Sequence, residues 1–98
     1  MNKEKIYQMA ISKWGKELQI IMGIEEMAEL TKELVKSLRG KDNRENIIEE
    51  IADVEIMIGQ LKRLFVVGND LTTIRRKKML RLEKMLQPDL LTTEQKSS

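Results

Sequence analysis

Residues 23–54 read GIEEMAELTKELVKSLRGKDNRENIIEEIADV, two helical stretches joined by a turn. Apolar residues recur at three and four on both sides, the period of an amphipathic helix. Gly40 stands where a C-terminal cap belongs. Asp42 or Asn43 can cap the following helix, with Glu45 three residues after Asp42 as in a capping box. Working outward, one helix runs from about Lys16 to Leu38 or Arg39, and the next runs to about Val67 with Gly68-Asn69 as its stop. A preceding helix covers about Lys3 to Trp14, and Gly15 marks a kink or break. A fourth starts near Asp70 and ends before Pro88. The reading is all-α: four helices around an antiparallel helical hairpin, in one domain over residues 1–88, with 89–98 as a flexible tail.

The informative residues are two acidic clusters, Glu25, Glu26 and Glu29 before the turn and Glu49, Glu50 and Asp53 after it. Glu26 with Glu29, and Glu50 with Asp53, are three apart and share a helix face. At 1.5 Å per residue both pairs lie ~12–16 Å from the turn, so an antiparallel hairpin sets the four carboxylates side by side. The faces are read as follows. Leu18, Met22, Glu25 and Glu29 form a stripe that begins apolar and turns acidic. Val54, Met57, Leu61 and Leu64 form another, continued upstream by Glu50 with Asp53. Ile47, Ile48, Ile51 and Ile58 cover a further face, which makes this helix central. Carboxylates clustered on half-buried faces repel one another and resist ionisation. A divalent cation removes the conflict, and hard oxygen ligands suit Mg²⁺ or Mn²⁺ over zinc. The competing reading pairs the same glutamates with Lys32, Lys36 or Lys62 on solvated faces.

Composition narrows the chemistry. The 98 residues include no His and no Cys, which excludes an imidazole base, a thiol nucleophile, a zinc ribbon and a disulfide framework. Catalysis would have to use carboxylates, Lys, Arg or an oxygen-held metal. Lys and Arg number 18 against 16 Asp and Glu, a net charge of +2, too balanced to argue for nucleic acid. The opening MNKEKIYQMAISKWGK has no apolar run of signal-peptide length, and no stretch approaches the ~20 apolar residues of a membrane span. The expectation is a soluble cytoplasmic protein. A chain this short has a thin core, which favours assembly into a dimer or tetramer bundle.

The succession Glu25-Glu26-Met27-Ala28-Glu29, short turn, Glu49-Glu50-Ile51-Ala52-Asp53 resembles the MazG-like all-α nucleoside triphosphate pyrophosphohydrolases. The likeness runs from about Trp14 to Phe65 and is greatest to short, single-motif, phage-type members. It implies that Glu26, Glu29, Glu50 and Asp53 hold Mg²⁺, with Mn²⁺ as a substitute. Glu25 then stands as a close neighbour that orients a water or a second ion. It further implies cleavage of an NTP or dNTP between the α and β phosphates, giving a monophosphate and pyrophosphate, in homodimers or homotetramers with sites built across subunits. Metal ions neutralise phosphate oxygens and lower the pKa of a bound water, so the reaction needs no histidine. Either Glu25 or Glu29 could take the water's proton.

Three further residues are substrate candidates. Lys77 and Arg81, with Lys84, form a cationic stripe on the fourth helix that could clamp the β and γ phosphates. Trp14, the one indole, could stack on a nucleobase or anchor the core. Gly23 and Gly59 fall inside helices, where glycine marks a close contact or a tolerated defect. The competing function is a non-catalytic helical module that binds nucleic acid or an acidic partner through TTIRRKKMLRLEKML.

Overall fold

The computed structural model describes the backbone of residues 1–97 and the side chains of residues 1–87. It is all-helical: α1 spans Lys3–Leu38, α2 Arg44–Leu64 and α3 Asn69–Ser97, with no strand among the described residues. Three helices stand where four were expected, because Lys3–Trp14 and the stretch after it run as one element across a break at Gly15. Gly15 has φ 81° and ψ 163°, a conformation open essentially to glycine alone. The sequence therefore located the break correctly, but the chain changes direction within a single residue and needs no loop.

Met1–Val66 forms one compact unit and Val67–Ser98 a second. In the first, the part of α1 after Gly15 pairs antiparallel with α2. Glu33 meets Asn43, Glu26 meets Asp53, and Gly23 lies against Met57 and Leu61. The turn begins with a Schellman cap: Gly40 N–H donates to the Ser37 carbonyl at 2.9 Å and Lys41 N–H to that of Lys36 at 3.1 Å. Gly40 holds φ 92°, as the position demands. Asn43 precedes α2, but its side chain makes no capping bond. Its amide instead donates to the Glu33 carbonyl at 2.9 Å and to Glu33 Oε1 at 3.3 Å. The capping expectation fails because the bonds of Nδ2 to Glu33 fix the side chain, and Oδ1, the atom that would cap, is left buried without a donor.

Lys3–Trp14 lies along a different side of α2. Arg63 staples the two: Nε and Nη2 donate to the Glu4 carboxylate, and Nη1 donates to the Gly59 carbonyl at 2.7 Å. Its guanidinium also covers the Tyr7 ring at 4.0 Å. These bonds hold the Glu4 carboxyl below its usual range. Tyr7 reaches Gly59 so closely that a Cβ built there would stand 2.8 Å from its hydroxyl oxygen. Of the two readings of the helical glycines, the close contact holds at Gly59, whereas a Cβ at Gly23 would meet only ordinary neighbours at 3.8 Å.

α2 ends at Leu64, three residues before the expected stop, because Val66 takes a left-handed backbone with φ 50° that no helix continues. In the second unit, α3 continues through Pro88 to Ser97, past the expected end. The ring removes one hydrogen bond and strains one turn, and residues on either side can still be helical. The side chains of the expected tail, residues 89–98, lie outside the described residues. No helix among the described residues is long and apolar enough to cross a membrane.

A candidate metal centre between two helices

The inward stripe of α1 is Gln19, Gly23, Glu26, Leu30 and Glu33, at spacings of four, three, four and three. Leu18, Glu25 and Glu29 face solvent. The stripe is therefore displaced by one residue from the Leu18–Glu29 reading. That reading followed apolar side chains, while the buried positions are largely polar. Gln19 is 1% exposed and Gln60 3%, and Glu33 and Asn43 are also buried, whereas Tyr7 and Met57 are the only buried large apolar side chains among the described residues. Gln19 and Gln60 are what sequence reasoning missed. Their signal was position at helical spacing, obscured because amides are rarely placed inside.

At the middle of the hairpin the stripe brings Glu26 to Glu50 and Asp53. One carboxylate oxygen from each lies within 4.8 Å of the other two. Glu26 and Glu50 are half-buried and Asp53 is exposed, so the cluster opens on one side. The helix period explains the grouping: Glu50 and Asp53 are one turn apart on α2 and project from neighbouring positions toward a single residue of α1.

Electrostatics mark the same residues. Burial pushes the Glu26 carboxyl up, followed by the charges of Asp53 and Glu29, a hydrogen bond with Asp53 and the charge of Glu25. Glu50 is likewise raised, first by burial and then by Asp53, Glu26, Glu29 and Glu33. Glu50 Oε2 is buried with no hydrogen-bond partner. A buried acceptor without a donor is costly unless a proton or cation completes it.

The donor set fits a hard divalent cation. All three groups offer oxygen, and oxygens about 2.1 Å from Mg²⁺ stand about 3–4.2 Å apart, against the 4.8 Å within which these three lie. Of the four expected ligands the structure gathers three, Glu26, Glu50 and Asp53. Glu29 stays on the exposed side, its charge still felt by Glu26 and Glu50. Glu25 is exposed next to Glu26.

Trp14 is 44% exposed at the end of the first segment, with the Lys13 ammonium 5.2 Å from its ring centre. It is not a core anchor. Lys77 and Arg81 are exposed on α3 in the second unit, where neither makes an ion pair among the described residues. Comparison of the chain with protein-family models, with curated proteins and with solved structures gives no match in any of the three.

Proposed function

We propose that the chain is a Mg²⁺-dependent nucleoside triphosphate pyrophosphohydrolase of the MazG-like kind, converting an NTP or dNTP to its monophosphate and pyrophosphate. The observation that carries the reading is the convergence of Glu26, Glu50 and Asp53 from two helices around a buried, unpartnered Glu50 oxygen. Bound there, Mg²⁺ or Mn²⁺ would neutralise phosphate charge and acidify a water. The chain's own groups do the rest. Glu26, Glu50 and Asp53 supply the ligand oxygens, and Glu29 stands at the rim as a fourth. Glu25 or Glu29, exposed beside the cluster, takes the proton of the attacking water. The water oxygen bonds to the α phosphorus as its bond to the bridging oxygen breaks, releasing pyrophosphate. In this reading the exposed face of Trp14 stacks on the base.

Assembly with a second copy belongs to the same proposal. Ile24, Leu34, Ile48, Ile51 and Phe65 are all exposed, more apolar surface than a stable helix pair leaves in water. Sedimentation at micromolar concentration should give a dimer or tetramer, and a monomer would refute this part.

One observation favours a second reading. Arg75, Arg76, Lys77, Lys78, Arg81 and Lys84 lie exposed on a helix of the second unit, as a module for nucleic acid or an acidic partner would have them. Pyrophosphate release from a panel of canonical and modified NTPs and dNTPs, with and without Mg²⁺ or Mn²⁺, separates the two. Metal-dependent release with stoichiometric monophosphate supports the hydrolase. Silence across the panel, with salt-sensitive oligonucleotide binding lost in a Lys77→Ala/Arg81→Ala double variant, supports the module.

A further inference from the structure

α2 has a second working face. Gly59 stands nine residues after Glu50, about two and a half turns, so it points away from the carboxylates. Ala52, Glu55, Gly59 and Lys62, at spacings of three, four and three, line that far side and look toward Lys3–Trp14. Between them lies an open cleft of about 600 Å³, lined mostly by exposed side chains and within the volume range of small-molecule sites. Ile56, Ile58 and Ala52 give it an apolar wall, and the Tyr7 ring, seated on Gly59, closes one side.

Its charges are uneven in use. Arg63 lines the cavity but is spent: its donors go to Glu4 and the Gly59 carbonyl, and its face to Tyr7. Lys3 and Lys62 make no ion pair among the described residues. Glu55 is the one carboxylate on the lining. The Lys3 ammonium stands 5.9 Å from the Tyr7 ring centre, and with Lys62 it makes two ammonium groups against one carboxylate, a single positive charge. The start of α1 at Lys3 adds the positive end of a helix dipole at the same place. That balance suits a monoanion and disfavours a triphosphate, which carries several negative charges.

We propose that this cavity is a second binding site, separate from the metal centre, for an organic monocarboxylate with an apolar body. The carboxylate meets Lys62 and Lys3, and the body lies against Ile56, Ile58 and Tyr7. The separation follows from the helix itself, whose two faces stand about 10 Å apart with side chains included.

The test is ¹H–¹⁵N NMR titration of the full chain, with no nucleotide or metal present, using naphthalen-2-ylacetate and its neutral amide. Saturable shifts are expected at Gly59 and along Lys3–Tyr7. The acid should bind about threefold or more tighter than the amide, and Lys62→Gln should weaken the acid about threefold without moving the amide. Lys62 is exposed, so circular dichroism should show the variant folded, and Lys3→Gln provides a second reading of the same charge. Equal affinity for acid and amide, no saturable shift, or shifts centred on Glu26 and Glu50 would each overturn the proposal. No hydrolysis is read, so failure here leaves the hydrolase proposal untouched, and the converse holds.

Discussion

Glu33 and Glu50 are both carboxylates turned into the same helix pair, and their surroundings are opposite. Glu33, near the turn, is bonded by Lys36 at 3.0 Å and by the Asn43 amide, and these partners, the Lys36 bond first, hold its carboxyl below the usual range. Glu50 faces Glu26 and Asp53, has a buried oxygen with no donor, and is held above that range. Burial alone does not separate them, since Glu33 is the more buried. The difference is whether the fold supplies the positive partner. Where it does, the carboxylate locks the hairpin, and where it does not, the position is open to an external cation.

The largest break in that comparison should come from Glu50→Gln. It should lower metal-dependent pyrophosphate release more than about 100-fold, while circular dichroism shows an intact helical fold. Millimolar Mg²⁺ should raise the thermal midpoint of the parent protein and leave that of the variant unmoved. Full turnover in the variant would remove the metal centre from consideration.

The structural end should respond in stability and leave the chemistry alone. Asn43→Ala removes the amide that joins Glu33 to the turn and should cost about 1 kcal/mol, a fall in thermal midpoint of about 4–8 °C. Turnover per folded molecule should stay unchanged.

The two helical glycines sharpen the contrast between the faces of α2. Gly59→Ala puts a methyl 2.8 Å from the Tyr7 oxygen, which forces the first segment outward at a cost of about 1–3 kcal/mol. Gly23→Ala meets Leu61 and Met57 at 3.8 Å and should stabilise by up to about 1 kcal/mol through helix propensity. Thermal melts of the two variants check the signs.

The smallest effect concerns pH. Glu26 and Glu50 are raised above 4.5, so without metal the folded chain binds their protons more tightly than the unfolded chain does. Their contribution to stability is complete below that value and is lost as pH rises through the raised folded values. Glu33 is lowered, so its contribution is present above the unfolded value and is lost as pH falls through the folded one. Urea melts of metal-free protein from about pH 2 to 8 should therefore flatten with opposite signs, below 4.5 in Glu33→Gln and above it in Glu50→Gln. Parallel shifts would refute the assigned surroundings.

The sequence by itself determined the all-helical class, the break at Gly15, the cap at Gly40 and the mirrored heights of the two acidic clusters. These follow from local chemistry: helical period, glycine's access to positive φ, and rise per residue. Tertiary structure alone decided which face of each helix turns inward. Apolar spacing pointed to Leu18 and Glu29, but the pairing turns Gln19, Glu26 and Glu33 inward. It also moved Asn43 from capping duty to Glu33, and set Tyr7 on Gly59 across 52 residues of chain. Long-range contacts compete with local preferences for the same side chains and the same surface. A face is chosen only when a partner helix arrives to cover it.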